Sequence, residues 1–363
     1  MSQKLLKIGG GEPAFKTPPH IIDAMKKALD DDFTHYGNPE GLPEFRNAII
    51  NRYSKRYGTQ FNPDNVTLTP GSSMGIFMVA KALCGPGDQI ATMNPCFFGY
   101  LSPFKEIGVN PTWIPRNESE DWSIHASDIE KALTPRTKAI LLCNPDNPTG
   151  AILKKSDLKS IAEIAEKHDL YIITDDIYDE IVYDNVKIEH ITTLPNMKER
   201  TIVLNGVSKA YAMTGWRMGY IIAPNEKIQR ALTDIQQATY FVTNPAIQIA
   251  CTAALTGPQD CVKSMLNEYD KKRRMVYDLY NDMRGVTVTK PLGAFYFFPN
   301  FSSYKIKSTE LTQKLREAGV SVTPGAMFGS NGEYHFRTAY CQSDEDLTQG
   351  LAIIKKTLQD MKP

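Results

Sequence analysis

The sequence has no excess of charge of either sign: 41 lysines and arginines stand against 41 aspartates and glutamates, a formal net charge of +0. Nothing in that balance favours a nucleic-acid backbone, and no Lys/Arg cluster with interleaved aromatics supplies a local basic patch. No apolar run approaches the ~20 residues needed to span a bilayer, and Met1-Ser2-Gln3-Lys4-Leu5-Leu6-Lys7 holds no leader-like apolar region. Cysteine is sparse. Cys84, Cys96, Cys143, Cys251, Cys261 and Cys341 are scattered without a C-x-x-C pair, which reads as reduced thiols in a cytoplasmic protein rather than a disulfide framework. The six histidines show neither H-x-H nor H-E-x-x-H spacing, so no metal site is expected. There is no repeat and no low-complexity tract, and the acidic run Asp30-Asp31-Asp32 reads as a solvated helix end.

What is present is enough apolar residue for a large core: 363 residues, 42% of them hydrophobic, a size that suits two domains or one large and one small. The chain is organised around Ser208-Lys209-Ala210-Tyr211-Ala212-Met213-Thr214-Gly215-Trp216-Arg217, between the strand-like runs 201–205 and 219–224. Lys209 falls just past a strand end, where burying a cation is costly unless it is paired, neutralised or used chemically. A Lys and an Arg on such a loop are also compatible with an ordinary surface turn. Two further apolar runs, 138–143 and 171–174, lead into Asn147 and Asp175. In a parallel α/β sheet the strand C-termini share one edge, and ligands sit there.

The other segments read locally. Ile21, Ile22, Met25, Ala28 and Leu29 recur at helical spacing behind Pro18-Pro19. Strand 66–69 runs through a turn at Gly71, Ser72 and Ser73 into a helix whose N-terminus suits an anion, or simply an N-cap at Ser72; Gly85 is placed to end it. Strand 89–94 leads to Phe97, a ring for core packing or for stacking on a flat ligand. Asn144-Pro145-Asp146-Asn147-Pro148-Thr149-Gly150 makes a non-helical turn before a helix with Ser156 as expected N-cap. Asp270-Lys271-Lys272-Arg273-Arg274 reads as the wet face of a long helix, and 293–299 as a strand. Segment 334–340 alternates as a strand carrying Arg337. Ser343 and Asp346 resemble a capping box for a last helix that faces inward with Leu347, Leu351, Ile354 and Leu358.

Ser208-Lys209…Gly215-x-Arg217, the N-P-x-N-P-T-G string, Asp175-Asp176-Ile177-Tyr178 and Tyr36…Gly41…Arg46 together resemble the class I and II aminotransferases, which are pyridoxal-phosphate (PLP) enzymes of fold type I. The resemblance runs in order from Gly10 to Arg337 and is closest to the aspartate aminotransferase-like members. It implies an α/β large domain over 31–265, with a mostly parallel seven-stranded-type sheet flanked by helices, and a smaller α+β domain from 1–30 and 266–363. It makes Lys209 the Schiff-base lysine, with Ser208, Arg217, Gly71, Ser72 and Ser73 around the cofactor phosphate and Phe97 stacked on its ring. Asp175 would face the pyridine nitrogen, where a carboxylate keeps the electron sink protonated. Asn147 and Tyr178 would donate to the phenolic oxygen. Arg337, with Asn147 and weakly Gly10, would bind the substrate carboxylate, and Tyr36 would reach the phosphate of a neighbouring subunit in a homodimer.

Two departures stand out: Asp176 replaces a usual glutamate, and Gly206 stands where some members carry a hydroxyl. The implied reaction moves an amino group between an L-amino acid and a 2-oxo acid, aspartate/glutamate-type or broad in specificity. A C–S lyase or decarboxylase on the same fold is the neighbouring alternative, and a non-catalytic PLP-binding regulatory module is the alternative of another class. No second arginine for a distal carboxylate is evident.

Overall fold

The computed structural model describes residues 5–361; the segment 1–4, part of the lead-in read above as lacking a leader, lies outside them. Among the described residues twelve strands are present: β1 (Leu6–Lys7), β2 (Val66–Thr69), β3 (Gln89–Asn94), β4 (Asn110–Pro115), β5 (Thr137–Cys143), β6 (Tyr171–Asp175), β7 (Thr201–Gly206), β8 (Gly219–Ile222), β9 (Tyr296–Phe297), β10 (Val320–Ser321), β11 (Thr323–Pro324) and β12 (Phe336–Ala339). Seven of them form one sheet in the order β2-β8-β7-β6-β5-β3-β4. Its neighbours pair in parallel except around β8, which is antiparallel to both β2 and β7. β5, β6 and β7 are almost wholly buried, with runs of Ile, Leu, Val and Ala at their centres, as a sheet covered on both faces requires. Parallel pairing of these three central strands sets Cys143 beside Asp175 and Asp175 beside Leu204. That register brings the Asn147, Asp175 and Lys209 segments to one edge.

Three helices matter below: α1 (Pro19–Asp30), α2 (Pro43–Tyr57) and α3 (Ser72–Leu83). α3 starts at Gly71, which holds φ +84 as its N-cap, and ends at Cys84, one residue before the expected Gly85. The helix after the Asn-Pro turn begins at Lys155, with Lys154 and not Ser156 as its cap; Asp157 accepts from the Lys154 backbone N–H and closes the first turn. The C-terminal part holds the antiparallel set β11-β12-β9 and the parallel pair β1-β10. The expected strand over 293–299 shrinks to Tyr296–Phe297. β12 is a fully buried middle strand, not a surface edge. Leu347, Leu351, Ile354 and Leu358 are buried along the last helix, whose Asp346 N–H donates to Ser343 Oγ at 3.1 Å.

One expectation is overturned on the long helix Asp260–Asn281. Arg273 is not on a wet face; it is fully buried, bonded to Asp184 and to the Pro291 carbonyl and stacked over the Tyr183 ring. That helix also runs without a break through the boundary drawn at 265/266. Ile21 of α1 is buried in one apolar cluster with Phe45, Leu68 and Ala250, so α1 packs with residues of the 31–265 part.

Candidate active site

A cavity of about 290 Å³ opens at the C-terminal edge of the central strands. Ser72, Ser73, Phe97, Asn147, Asp175, Tyr178, Ser208, Lys209, Arg217 and Arg337 all line it, although they come from segments spread over most of the chain. Lys209 follows β7 and donates from Nζ to the Gly11 carbonyl at 2.6 Å. Burial lowers its pKa, and the nearby Arg337 cation pushes in the same direction, so the site favours the neutral amine more than water does.

Asp175 ends β6. Burial raises its pKa to about 6, against the pull of a 2.8 Å bond from the Tyr100 hydroxyl to Oδ2 and a bond from the Ile177 N–H. No cation forms an ion pair with it among the described residues, which is an expensive state for a buried carboxylate and fits a ligand that carries a protonated ring nitrogen. Asp176 turns elsewhere: it accepts from Tyr53 at 3.0 Å and Thr174 at 2.6 Å and bonds the buried His190 at 2.8 Å. A turn follows it rather than a helix, so neither aspartate is a helix cap.

Arg337 is buried. It donates to Asn147 Oδ1 at 2.9 Å and to the Gly9 carbonyl at 2.7 Å, and its Nε has no partner. The rings of Tyr296 and Phe328 lie 4.5 and 5.0 Å from its guanidinium carbon. Without a carboxylate partner among the described residues, this cation fits an anionic substrate group held by paired N–H bonds. Asn147 Nδ2 reaches Tyr178 Oη at 3.4 Å, and Tyr178 shares a 2.8 Å bond with the Tyr296 hydroxyl.

The phosphate end is built from a helix start and an arginine. Ser72 and Ser73 open α3, whose first N–H groups and positive dipole end lie at this side of the cavity. Arg217 is anchored by its Nη1 bond to the Thr214 carbonyl at 2.8 Å. A Cβ at Gly71 would strike the Arg217 guanidinium, so glycine is needed to let the cation lie over the helix start. Gly206 has a comparable reason: a Cβ there would come 2.8 Å from the Met218 carbonyl, so the family's alternative hydroxyl side chain has no room.

Three expected residues lie off the wall of this cavity: Gly71, which caps α3 behind Arg217, Gly10 and Tyr36. Gly11, not Gly10, is on its wall; Gly10 is exposed, and its carbonyl accepts from Gln342. Tyr36 is 85% exposed, edge-on to Phe241 at 5.9 Å, and touches nothing in the cavity of its own chain. Sequence reasoning missed Tyr100, Tyr296 and Phe98, all on the cavity wall. The Phe97-Phe98-Gly99-Tyr100 string was visible, but which of its rings point inward depends on the short helical turn Phe98–Tyr100.

Tyr100→Phe deletes the hydroxyl that stabilises ionised Asp175. In the cofactor-free protein it is expected to cost about 1.5–3 kcal/mol above pH 6 and less at pH 5, where the carboxyl is protonated. Chemical denaturation at the two pH values measures the difference.

The sequence pattern of "Aminotransferase class I and II" matches residues 3–354. The chain is 37% identical to aspartate aminotransferase of Pyrococcus abyssi, covering 99% of this chain and 92% of that protein. It is 35% identical to aromatic-amino-acid aminotransferase 2 of Thermococcus litoralis over 99% and 92%. The crystal structure of the aromatic aminotransferase from Pyrococcus horikoshii superposes with a TM-score of 0.94 at 34% identity, covering 98% of this chain and 96% of that one. The chain therefore belongs to the class I and II aminotransferases, and it is a PLP-dependent transaminase of fold type I acting on amino acids and 2-oxo acids. No helix among the described residues is long and apolar enough to cross a membrane, and no cluster of three potential metal ligands occurs among them.

Proposed function

We propose that Lys209 carries the cofactor covalently and moves the substrate's α-proton, with Arg337 holding the α-carboxylate. The single observation that supports this best is the meeting of a part-buried amine, a buried carboxylate and a buried guanidinium, neither of the last two in an ion pair among the described residues, in one cavity. When bound, PLP supplies the electron sink that makes an amino acid's Cα–H bond acidic. The chain's own groups do the rest. Asp175 holds a proton on the ring nitrogen, and Phe97 covers the ring face. Asn147 and Tyr178 donate to the phenolic oxygen. Ser208, Arg217 and the Gly71–Ser73 helix start bind the phosphate. Arg337 and Asn147 orient the substrate so that its α-hydrogen faces Lys209 Nζ, which takes the proton as a general base and returns it as an acid. The Gly9–Gly11 segment, with Gly10 at its centre, borders the carboxylate end, the Gly9 carbonyl holding Arg337 and the Gly11 carbonyl holding Lys209.

A cytoplasmic homodimer completes this reading. In it the exposed Tyr36 of each subunit reaches the phosphate of the other. Equal mixing of Tyr36→Phe and Lys209→Ala subunits is then expected to yield hybrid dimers with altered activity; simple additive loss counts against a shared site.

Relatives named for aspartate and for aromatic amino acids leave two substrate classes. The cations lining this chain's cavity are Lys209, Arg217 and Arg337, each already engaged, while Phe98, Tyr296 and Phe328 surround the carboxylate site. This wall favours an aromatic side chain over a second carboxylate. The visible spectrum of the holoenzyme, titrated with phenylalanine, tyrosine, aspartate and glutamate, tests both levels. Amino transfer that an oxo acid reverses is expected, at lowest concentration with the aromatic acids. Strict preference for aspartate would reject the side-chain assignment.

A further inference from the structure

A second cavity, of about 420 Å³, shares no lining residue with the first. One face of α2 forms its wall, where Ala48, Asn51, Arg52, Lys55 and Arg56 recur at helical spacing. Leu255, Gln259, Val262 and Lys263 face it from the corner between the helices Pro245–Thr256 and Asp260–Asn281. Glu180 and Tyr211 complete the lining.

The charges of this wall are unevenly matched. Arg52 bonds Asp179 at 2.6 Å and Glu180 at 2.9 Å through Nη2 alone, and its buried Nη1 has no acceptor. Arg56 pairs with Glu180 at 2.9 Å and donates to the Asp179 carbonyl. Lys263 meets only the exposed Asp260, 3.6 Å away, and Lys55 has no ion pair among the described residues. The start of a 22-residue helix adds the positive end of its dipole at the same wall. Between these donors lie the apolar groups of Ala48, Leu255, Val262 and the Tyr211 ring. Donors in excess around an apolar floor suit a small anion with an apolar body.

The cavity is also joined to the catalytic one along the backbone. Glu180 stands two residues beyond Tyr178, and Tyr211 two residues beyond Lys209. The Tyr211 hydroxyl donates to Gln259 Oε1 at 2.9 Å, tying the lysine segment to the helix corner. An anion held by the exposed Lys55 and Lys263 lies beside Glu180 on the same wall, and a displacement of Glu180 would reach Tyr178 through two residues of backbone.

We propose that this cavity is a second, non-catalytic site for small apolar-bodied carboxylates, a class that includes amino acids and 2-oxo acids, and that its occupancy lowers turnover. The class of reaction does not require such a site.

Calorimetric titration of the holoenzyme with 3-phenylpropionate tests it. Two binding events are expected. Arg337→Leu removes one and keeps the other. Lys55→Glu/Lys263→Glu, both exposed positions, removes the complementary event and leaves kcat/KM without the probe unchanged. In the parent enzyme the probe lowers kcat as well as raising KM, and in the double variant it raises only KM. A single binding event in the parent, or a fall in kcat that survives in Lys55→Glu/Lys263→Glu, would overturn the proposal. Two events that both persist in Arg337→Leu would refute the catalytic assignment and leave this one standing.

Discussion

Lys209→Ala is expected to abolish amino-group exchange, with a loss of at least ~10²–10⁴-fold from proton transfer alone and more from the missing covalent attachment. The side chain's one hydrogen bond runs to the Gly11 carbonyl, and burial favours its neutral form, which suits it to act as the base. Neighbouring Cys341 is buried and bonded to the Glu12 carbonyl, with its thiol pushed up to about 12 by burial, out of range for the task. The variant should fold, because the truncated side chain is only half-buried and leaves no charge behind. Single-turnover assays with added primary amines provide the check. Partial rescue by an amine that fits the vacated space is expected, and activity within tenfold of the parent would dismiss Lys209 from the chemistry.

The second large effect is at Asp175, where stability and activity should move in opposite directions. Its folded pKa of about 6 lies above the ordinary 3.8, so between those values the folded state holds more protons than the unfolded one. The cofactor-free protein therefore loses stability as pH rises through that window, by an amount on the order of 3 kcal/mol. Asp175→Asn removes the titration. The cofactor-free variant is expected to be more stable than the parent at pH 8 and little changed at pH 4, as read by denaturant midpoints. Its transaminase activity should fall about 10²–10³-fold, since a neutral amide cannot hold the proton on the ring nitrogen. A variant that is less stable at pH 8, or that retains normal turnover, would break the link between this buried charge and cofactor electronics.

The specificity of the pattern explains how much was legible in advance. Lys209, Asp175 and Asn147 each follow an apolar run that ends in turn-forming or polar residues, and such runs in a parallel sheet deliver their ends to one edge. Local chemistry was enough to place these three at one cavity. Arg337 was found through its strand context and family likeness, but its burial was not. Nothing local distinguishes a middle strand such as β12 from an edge strand that carries a charge. Arg273 shows the converse error. A run of five charged residues on a helix looks solvent-facing, yet Asp184, distant in sequence, draws one of them into the interior.

The sequence by itself determined the α/β class and the parallel arrangement of the central strands, and it singled out Lys209, Asp175 and Asn147, which the structure brings to one cavity. Those features rest on strand composition and short-range turn chemistry, which are written within a few neighbouring residues. The tertiary structure alone decided which of Gly10 and Gly11 meets Lys209, that Tyr100 restrains Asp175, and that Phe98, Tyr296 and Phe328 enclose Arg337. It also decided that α2 turns its cations towards Glu180 and Tyr211. These are contacts between residues far apart along the chain, and they are set by how layers pack, a property no single segment carries.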